Sequence, residues 1–303
     1  IPIDLRHKLK KNISLNNSKI AEVHESTDGT IKFLIELFDG NKVECVYIPE
    51  KTRGTICISS QVGCSLTCTF CRSGTQKLVK NLSTSEIVSQ IMLVKNKLKD
   101  WGDQKIVSNI VFMGQGEPLI NMKNLKIAVQ ILKDKKGLNY GKKKITVSTS
   151  GIANKITEAA DEIGTYLALS LHAPNDKLRE EIMPINKTFK IKDLIKQLKY
   201  YTSVVKEPIF LEYVMLKDIN DTEACAKQLV KLMSQFPSKV NLIEFNSWPG
   251  VKFEPTERKN IEKFSKYIQD KGYMSFIRKS RGDDVLAACG QLRTESTKKN
   301  SVL

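Results

Sequence analysis

The sequence predicts an α/β fold, a partial (β/α)6 TIM-like barrel with an N-terminal β-hairpin extension. Three observations lead there. From about residue 52, short β-rich runs alternate with longer helical ones, the pattern of successive βα units around a parallel sheet. Ahead of them, two apolar runs are split by a turn dipeptide. Finally, 303 residues, 41% of them hydrophobic, are enough to bury a core of that size.

The chain opens with a basic stretch, Arg6, Lys8, Lys10 and Lys11, followed by apolar runs at 31–38 and 43–48 flanking Asp39-Gly40. Residues 1–51 therefore read as a basic segment and hairpin, 52–293 as the core, and 294–303 as a polar, fraying tail. Core strands are predicted near 55–59, 107–113, 145–149, 166–171, 209–215, 240–245 and 273–278, with helices between them. Ser83 and Glu86 form an S-x-x-E capping box ahead of Ile87, Ile91, Val94 and Leu98 at helical spacing. Asn121 reads as the cap of a second helix bearing Leu125, Val129 and Leu132, and Asp221 as the cap of a later one bearing Leu229 and Leu232. Six units leave a barrel open where eight would close it, which admits a large substrate, and reactive groups belong at the carboxyl ends of its strands.

Lys and Arg number 49 against 33 Asp and Glu, a formal charge of +16. That balance suits an anionic partner, although a solvated basic face has the same composition. Lys133, Lys135, Lys136, Lys142, Lys143 and Lys144 are candidates for either. No apolar run is long enough to span a bilayer, so no membrane partner is expected. The chain starts at Ile1 without a methionine and reads as a fragment. Its seven cysteines, Cys45, Cys57, Cys64, Cys68, Cys71, Cys225 and Cys289, are too few and too uneven for a secreted disulfide scaffold. Metal binding or redox chemistry in a reducing cytoplasm is the better reading, with Cys45 and Cys225 as small buried hydrophobes.

Cys64-Ser-Leu-Thr-Cys68-Thr-Phe-Cys71 brings three thiolates onto one loop directly after the first core strand. A [4Fe-4S] cluster ordinarily takes four cysteines, so a three-cysteine loop leaves one iron for a non-protein ligand. The amino and carboxylate groups of S-adenosylmethionine fit that vacancy. A structural zinc site borrowing a distant fourth ligand is the alternative. Gly116-Glu117-Pro118 follows the second strand and reads alone as a turn. Ser148, Ser170 and Asn246 sit at strand ends, where each singly reads as a turn residue or cap, and His172 as a core histidine.

Taken together, 59–64, 112–119, 148–151, 170–176 and 281–290 resemble the RlmN family of bacterial RNA methyltransferases in the radical S-adenosylmethionine superfamily, over roughly residues 30 to 293. The resemblance implies a radical barrel with one [4Fe-4S] cluster on Cys64, Cys68 and Cys71. It implies cofactor contacts from Gly116, Glu117, Ser148, Ser170, Leu171, His172 and Asn246. It further implies that Cys289 takes a methyl group from one cofactor molecule, that a second molecule yields a deoxyadenosyl radical, and that the resulting methylene radical adds to an adenine. Cys57 then resolves the adduct as a disulfide with Cys289, and Glu44 accepts the proton lost on rearomatisation. Arg278, Lys279 and Arg281 are expected to depress the Cys289 pKa.

The family's substrates are a peptidyl-transferase-centre adenosine of 23S rRNA and the adenosine 3′ of the anticodon in tRNA, methylated at carbon 2. An external electron donor such as a flavodoxin and a monomeric state are expected with it, and the chain reads as lacking the length for the family's upstream helical domain. Two rivals stay open: methylation of carbon 8 of the same rRNA adenosine, and a non-catalytic iron-sulfur RNA-binding protein.

Overall fold

The computed structural model of the protein describes residues 2–12, 18–102 and 105–294. After helix α1 (Ile3–Asn12), strands β1 (Lys19–Glu25), β2 (Ile31–Glu36) and β3 (Lys42–Pro49) form an antiparallel meander. Strand β4 (Gly54–Cys57) pairs antiparallel with β3, and a short ribbon, β5 (Gln61–Val62) with β6 (Lys80–Asn81), follows. The chain then alternates through α2 (Thr84–Lys97), β7 (Asn109–Phe112), α3 (Met122–Lys133), β8 (Ile145–Thr149) and α4 (Ala153–Glu162). It continues with β9 (Tyr166–Ser170), α5 (Asp176–Ile182), α6 (Ile191–Val205), β10 (Ile209–Met215), α7 (Glu223–Met233), β11 (Ser238–Glu244), α8 (Arg258–Asp270) and β12 (Ser275–Arg278).

One ten-stranded sheet runs β1-β2-β3-β4-β7-β8-β9-β10-β11-β12, with its end strands unpaired to each other. From β4 to β12 every neighbour is parallel. This is the open six-unit barrel expected, with β12 as a seventh parallel strand. The helices pack their apolar stripes against it: Ile87, Ile91 and Val94 of α2 and Leu125, Val129 and Leu132 of α3 are at most 1% exposed. No helix among the described residues is long and apolar enough to cross a membrane.

The predicted hairpin forms around Asp39-Gly40, where the Asn41 amide donates to Asp39 Oδ1 and Gly40 adopts φ +80°. Strand β1 was not foreseen, for a physical reason. A register shift between Ile20 and Glu22 lets Ile20 and Val23, three residues apart, both pack on the core, so the period of two is broken. The basic stretch forms α1.

Two caps are corrected. Asn121 precedes α3 but makes no cap; its amide Nδ2 donates to the carbonyls of Ser60 and Leu82, tying the cysteine loop to the α2 entry. The cap of α7 is Thr222, whose hydroxyl accepts from the Cys225 amide, while Asp221 accepts from Thr256. The Ser83–Glu86 capping box is present as expected. The polar tail beyond Thr294 lies outside the described residues.

Candidate active site

The three motif cysteines sit on a loop between β5 and β6, so the ribbon closes the base of the loop like a clasp. Gly63, at φ +76°, lets the chain turn into it; a Cβ there would lie 2.2 Å from the Lys77 carbonyl oxygen. Within the loop, the Cys71 amide donates to the Cys68 carbonyl at 3.1 Å and the Gly74 amide to the Cys71 carbonyl at 3.0 Å. The Leu66 amide donates to Cys64 Sγ at 3.4 Å. Burial pushes all three thiols up, Cys64 to about 11.

All three cysteines border one cavity enclosing about 1000 Å³ of empty space, part of it continuous with solvent, at the carboxyl ends of the parallel strands. That is the upper end of the range for small-molecule sites. Gly116, Glu117, Ser148, Ser170, His172 and Cys289 border it too. Gly116 takes φ +96° against Gln61, whose Oε1 accepts from the Glu117 amide at 2.9 Å and the Ser65 amide at 3.3 Å. One buried side chain therefore locks the Gly-Glu turn to the cysteine loop.

Glu117 is buried, its two oxygens accepting from the Leu119 amide at 3.0 Å and the Ser150 amide at 2.6 Å; burial outweighs these bonds and raises its pKa. Ser148 donates to the Phe112 carbonyl at 2.6 Å. His172 holds φ +54°, an uncommon conformation for a non-glycine residue. Its Nδ1 accepts from the Val214 amide at 3.0 Å, and Phe70 meets the ring edge-on. Burial, then the Arg179 charge, lowers its pKa to about 3, so it is neutral with the proton on Nε2.

The remaining expected residues lie behind the cavity wall. Leu171 is the clearest departure: its side chain is in the main core, and its amide and carbonyl bond Glu212 and Arg179. An apolar residue flanked by two polar ones at a strand end alternates inward, which takes its side chain away from the cavity. Asn246 reaches from beyond β11 to the Cys289 carbonyl at 3.4 Å and accepts from Ser280. Cys57 ends β4 and packs with Val46, Val285, Ala287 and Leu292. Burial and the neighbouring Cys289 push its thiol up to about 12.

Glu44 lies on β3, 3.3 Å from Lys32 Nζ, and accepts from the Arg293 amide at 2.8 Å. Burial raises its pKa despite Lys32, Arg293 and Arg72.

The segment carrying Cys289 is strapped at both ends. The Arg72 amide donates to the Gly290 carbonyl at 2.7 Å, and Thr294 donates to Gln115 and Gln76. On the other side, Asp284 accepts from Ser26 and Thr27, and the Gly282 amide donates to Asp28. The N-terminal strands thus form the bed on which Cys289 rests. Cys289 is solvent-exposed at the mouth of the cleft, yet the crowd of protein around its sulfur raises its pKa; Arg278 pulls it down, and burial wins. The expectation of a depressed thiol is corrected in that sense. Arg281 is spent on Asp28 and on the Asp28 and Pro49 carbonyls.

Glu212 was missed by sequence reasoning. It lines the cavity from the middle of β10, with Oε1 accepting from Asn241 at 2.8 Å, Oε2 without a hydrogen-bond partner, and Arg278 at 3.7 Å. The available signal was a lone carboxylate inside an apolar strand, Ile209-Phe210-Leu211-Glu212-Tyr213-Val214-Met215.

The donor set fits one of the two metal readings better. No three His, Cys, Asp or Glu side chains among the described residues are placed to hold a single metal ion, as a closed zinc centre requires. Glu117 and His172 are committed to backbone amides. Three thiols facing a roomy cavity fit a multi-iron cluster that leaves one iron to a small-molecule ligand.

The profile of the radical SAM superfamily matches residues 58–227. The chain is 45% identical to the dual-specificity RNA methyltransferase RlmN of Nitrobacter winogradskyi, over 97% of this chain and 78% of that protein. It is 46% identical to the protein of the same name from a Jannaschia species, over 98% and 79%. It superposes on the crystal structure of a radical SAM methyltransferase from Sphaerobacter thermophilus with a TM-score of 0.92 and 36% identity, covering 97% of this chain and 86% of the other.

Proposed function

We propose, for a chain that belongs to the RlmN family of the radical S-adenosylmethionine superfamily, that the methyl carbon passes through Cys289 on its way to carbon 2 of an RNA adenine. Membership makes the protein an S-adenosylmethionine-dependent radical RNA methyltransferase with the radical SAM fold. The adenosine of the 23S peptidyl-transferase centre and the adenosine 3′ of the tRNA anticodon are the proposed targets, and both are in unpaired loops, from which a base is extracted at least cost.

Cys64, Cys68 and Cys71 would hold a [4Fe-4S] cluster, which would supply the electron for cleavage of S-adenosylmethionine, and that cofactor would supply the methyl group and the oxidising power to abstract an inert hydrogen. Glu117, Ser148 and Ser170 offer polar groups to the cofactor, and neutral His172 offers an Nε2 proton as donor. Cys289 is methylated as a thiolate, with Arg278 favouring its ionised form. Once the carbon bridges Cys289 and the base, the adduct radical gives one electron back to the external one-electron couple and Glu44 takes the proton from carbon 2. Cys57 then attacks the Cys289 sulfur as a thiolate, the carbon–sulfur bond breaks, the released carbon takes up a proton, and the base leaves as the methylated product. The two thiols are oxidised to a disulfide as the transferred carbon is reduced, and cellular thiols restore them.

The observation that carries this reading is the placement of Cys57 beside the segment that bears Cys289. Cys57 ends β4 and packs with Val285, Ala287 and Leu292 of that segment, and Cys289 is among the groups that raise its pKa. A buried structural cysteine needs no such partner. With anaerobically reconstituted protein, methyl-labelled cofactor and unmodified rRNA, Cys289→Ala abolishes methylation, whereas Cys57→Ala accumulates a covalent RNA–protein adduct. Normal turnover by Cys57→Ala would overturn the relay, and 8-methyladenosine in the digested product would overturn the choice of carbon.

A further inference from the structure

Arg179 lies on α5 with no solvent exposure at all, the largest of the fully buried side chains. It forms a fork of neutral hydrogen bonds: Nε to the Leu171 carbonyl at 3.1 Å, Nη1 to Asn186 Oδ1 at 3.0 Å, and Nη2 to the Ser150 and Ser170 carbonyls at 2.7 and 3.0 Å. It makes no ion pair with any Asp or Glu among the described residues. Taking a guanidinium out of water costs several kcal/mol unless an anion compensates, and four neutral acceptors do not supply one.

The helix that carries Arg179 packs directly on the cysteine loop. The Thr69 amide and hydroxyl both donate to the Ile182 carbonyl, at 3.0 and 3.3 Å, and Cys68, Cys71, Phe70, Leu178, Ile182 and Met183 share one apolar cluster. Of the anionic groups acting on Arg179, Cys68 comes first and Asp176 second. Burial lowers the guanidinium only to about 10, so its charge is permanent under working conditions.

We propose that Arg179 is the built-in counter-charge of the cluster held by Cys64, Cys68 and Cys71, and that its buried positive charge raises the cluster's reduction potential. The inference rests on the assignment of those cysteines as cluster ligands. Three thiolates and a cluster carry net negative charge, which grows by one on reduction. A fixed cation in a low-dielectric wall favours the reduced form over the oxidised one, and cluster potentials respond to local charge in this way. Arg179 neither gives nor takes an electron; it eases acceptance of the one delivered by the external one-electron donor. The hydrogen-bond fork fixes where the charge sits and closes the ends of β8 and β9 around it.

The test is a redox titration of the reconstituted full chain, followed by the electron paramagnetic resonance of the reduced cluster, with iron content measured alongside. Arg179→Met lowers the midpoint potential, while Arg179→Lys, which keeps the charge and loses the fork, stays close to the parent. Asp176→Asn shifts the midpoint the other way, upward. It removes the second anion near Arg179 yet keeps an oxygen for the Asn186 side chain and the Ile191 amide, each 2.9 Å away. Equal downward shifts in Met and Lys variants would mean that the fork, not the charge, matters, and would overturn the proposal. So would unmoved midpoints in Arg179→Met and Asp176→Asn at full iron content. If Arg179→Met does not fold, Asp176→Asn decides alone. Failure of the parent to assemble a cluster would instead sink the ligand assignment, and this inference with it.

Discussion

Glu44 carries two demands that pull its pKa in opposite directions. Burial raises it, while Lys32 at 3.3 Å and the Arg293 amide hold it down, and the net shift is upward. A proton acceptor works only when ionised, so its contribution is present above that raised pKa and lost as pH falls through it. The acid limb of single-turnover product release is therefore expected above the ordinary glutamate range. Lys32→Met removes the closest cation and moves the limb further up, by about one pH unit or more. Glu44→Gln removes release at every pH. A limb that stays put in Lys32→Met, measured by rapid quench across pH 5–9, would take Glu44 out of the proton path. Among the other expected residues, the fate of a side chain follows strand parity: Ser170 faces the cavity and Leu171 faces the core.

At the scale of elements, the cysteine loop owes its shape to the β5–β6 ribbon more than to its own sequence. Gly63 is the position where the two meet, in a left-handed conformation with the Lys77 carbonyl pressed against it. Gly63→Ala adds conformational strain of roughly 1–3 kcal/mol and a backbone clash, and is expected to cut the iron bound after reconstitution by more than half. Gly40→Ala is the control, since φ is +80° there too but nothing lies within 4 Å of the added carbon. It weakens the hairpin while leaving iron content intact. Equal iron loss in both variants would show that the loop tolerates no general destabilisation, rather than depending on its clasp.

Across the whole molecule, the two poles of the sheet differ in purpose. The cavity is at the carboxyl ends of the strands, whereas Lys142, Lys143 and Lys144 form a 3-10 turn leading into the amino end of β8. Five residues of strand, about 16 Å at ~3.3 Å each, separate them from the site. Lys143 pairs with Glu207 and Lys133 bonds the Ile163 carbonyl, both at that same pole. Of the two readings of this cluster, the solvated face is the better supported. Replacing Lys142, Lys143 and Lys144 by glutamate is expected to change RNA affinity by less than about threefold at fixed salt and to leave the slope of affinity against salt unchanged. Three lost phosphate contacts would instead flatten that slope by about 2.7.

The order of core strands, the helices between them and the cysteine loop were all legible in the amino-acid sequence, because each depends on local pattern: alternation, helical period, capping and cysteine spacing. The cysteine spacing pointed to a metal or cluster loop, and the family resemblance singled out the cluster among those readings and pointed to Glu44, Cys57 and Cys289 one residue at a time. Only the folded chain decided how they meet. Hydrogen bonds between residues far apart in the chain, from Ser26, Asp28, Arg72, Gln76 and Gln115, bring the C-terminal segment over the cavity and seat it on the N-terminal strands. The Ile20–Glu22 bulge, the buried carboxylate of Glu212 and the unpaired charge of Arg179 are tertiary facts as well. A residue's type sets what it can bond, but the partner that bonds it is chosen by packing across the sheet, and no periodicity along the chain records that choice.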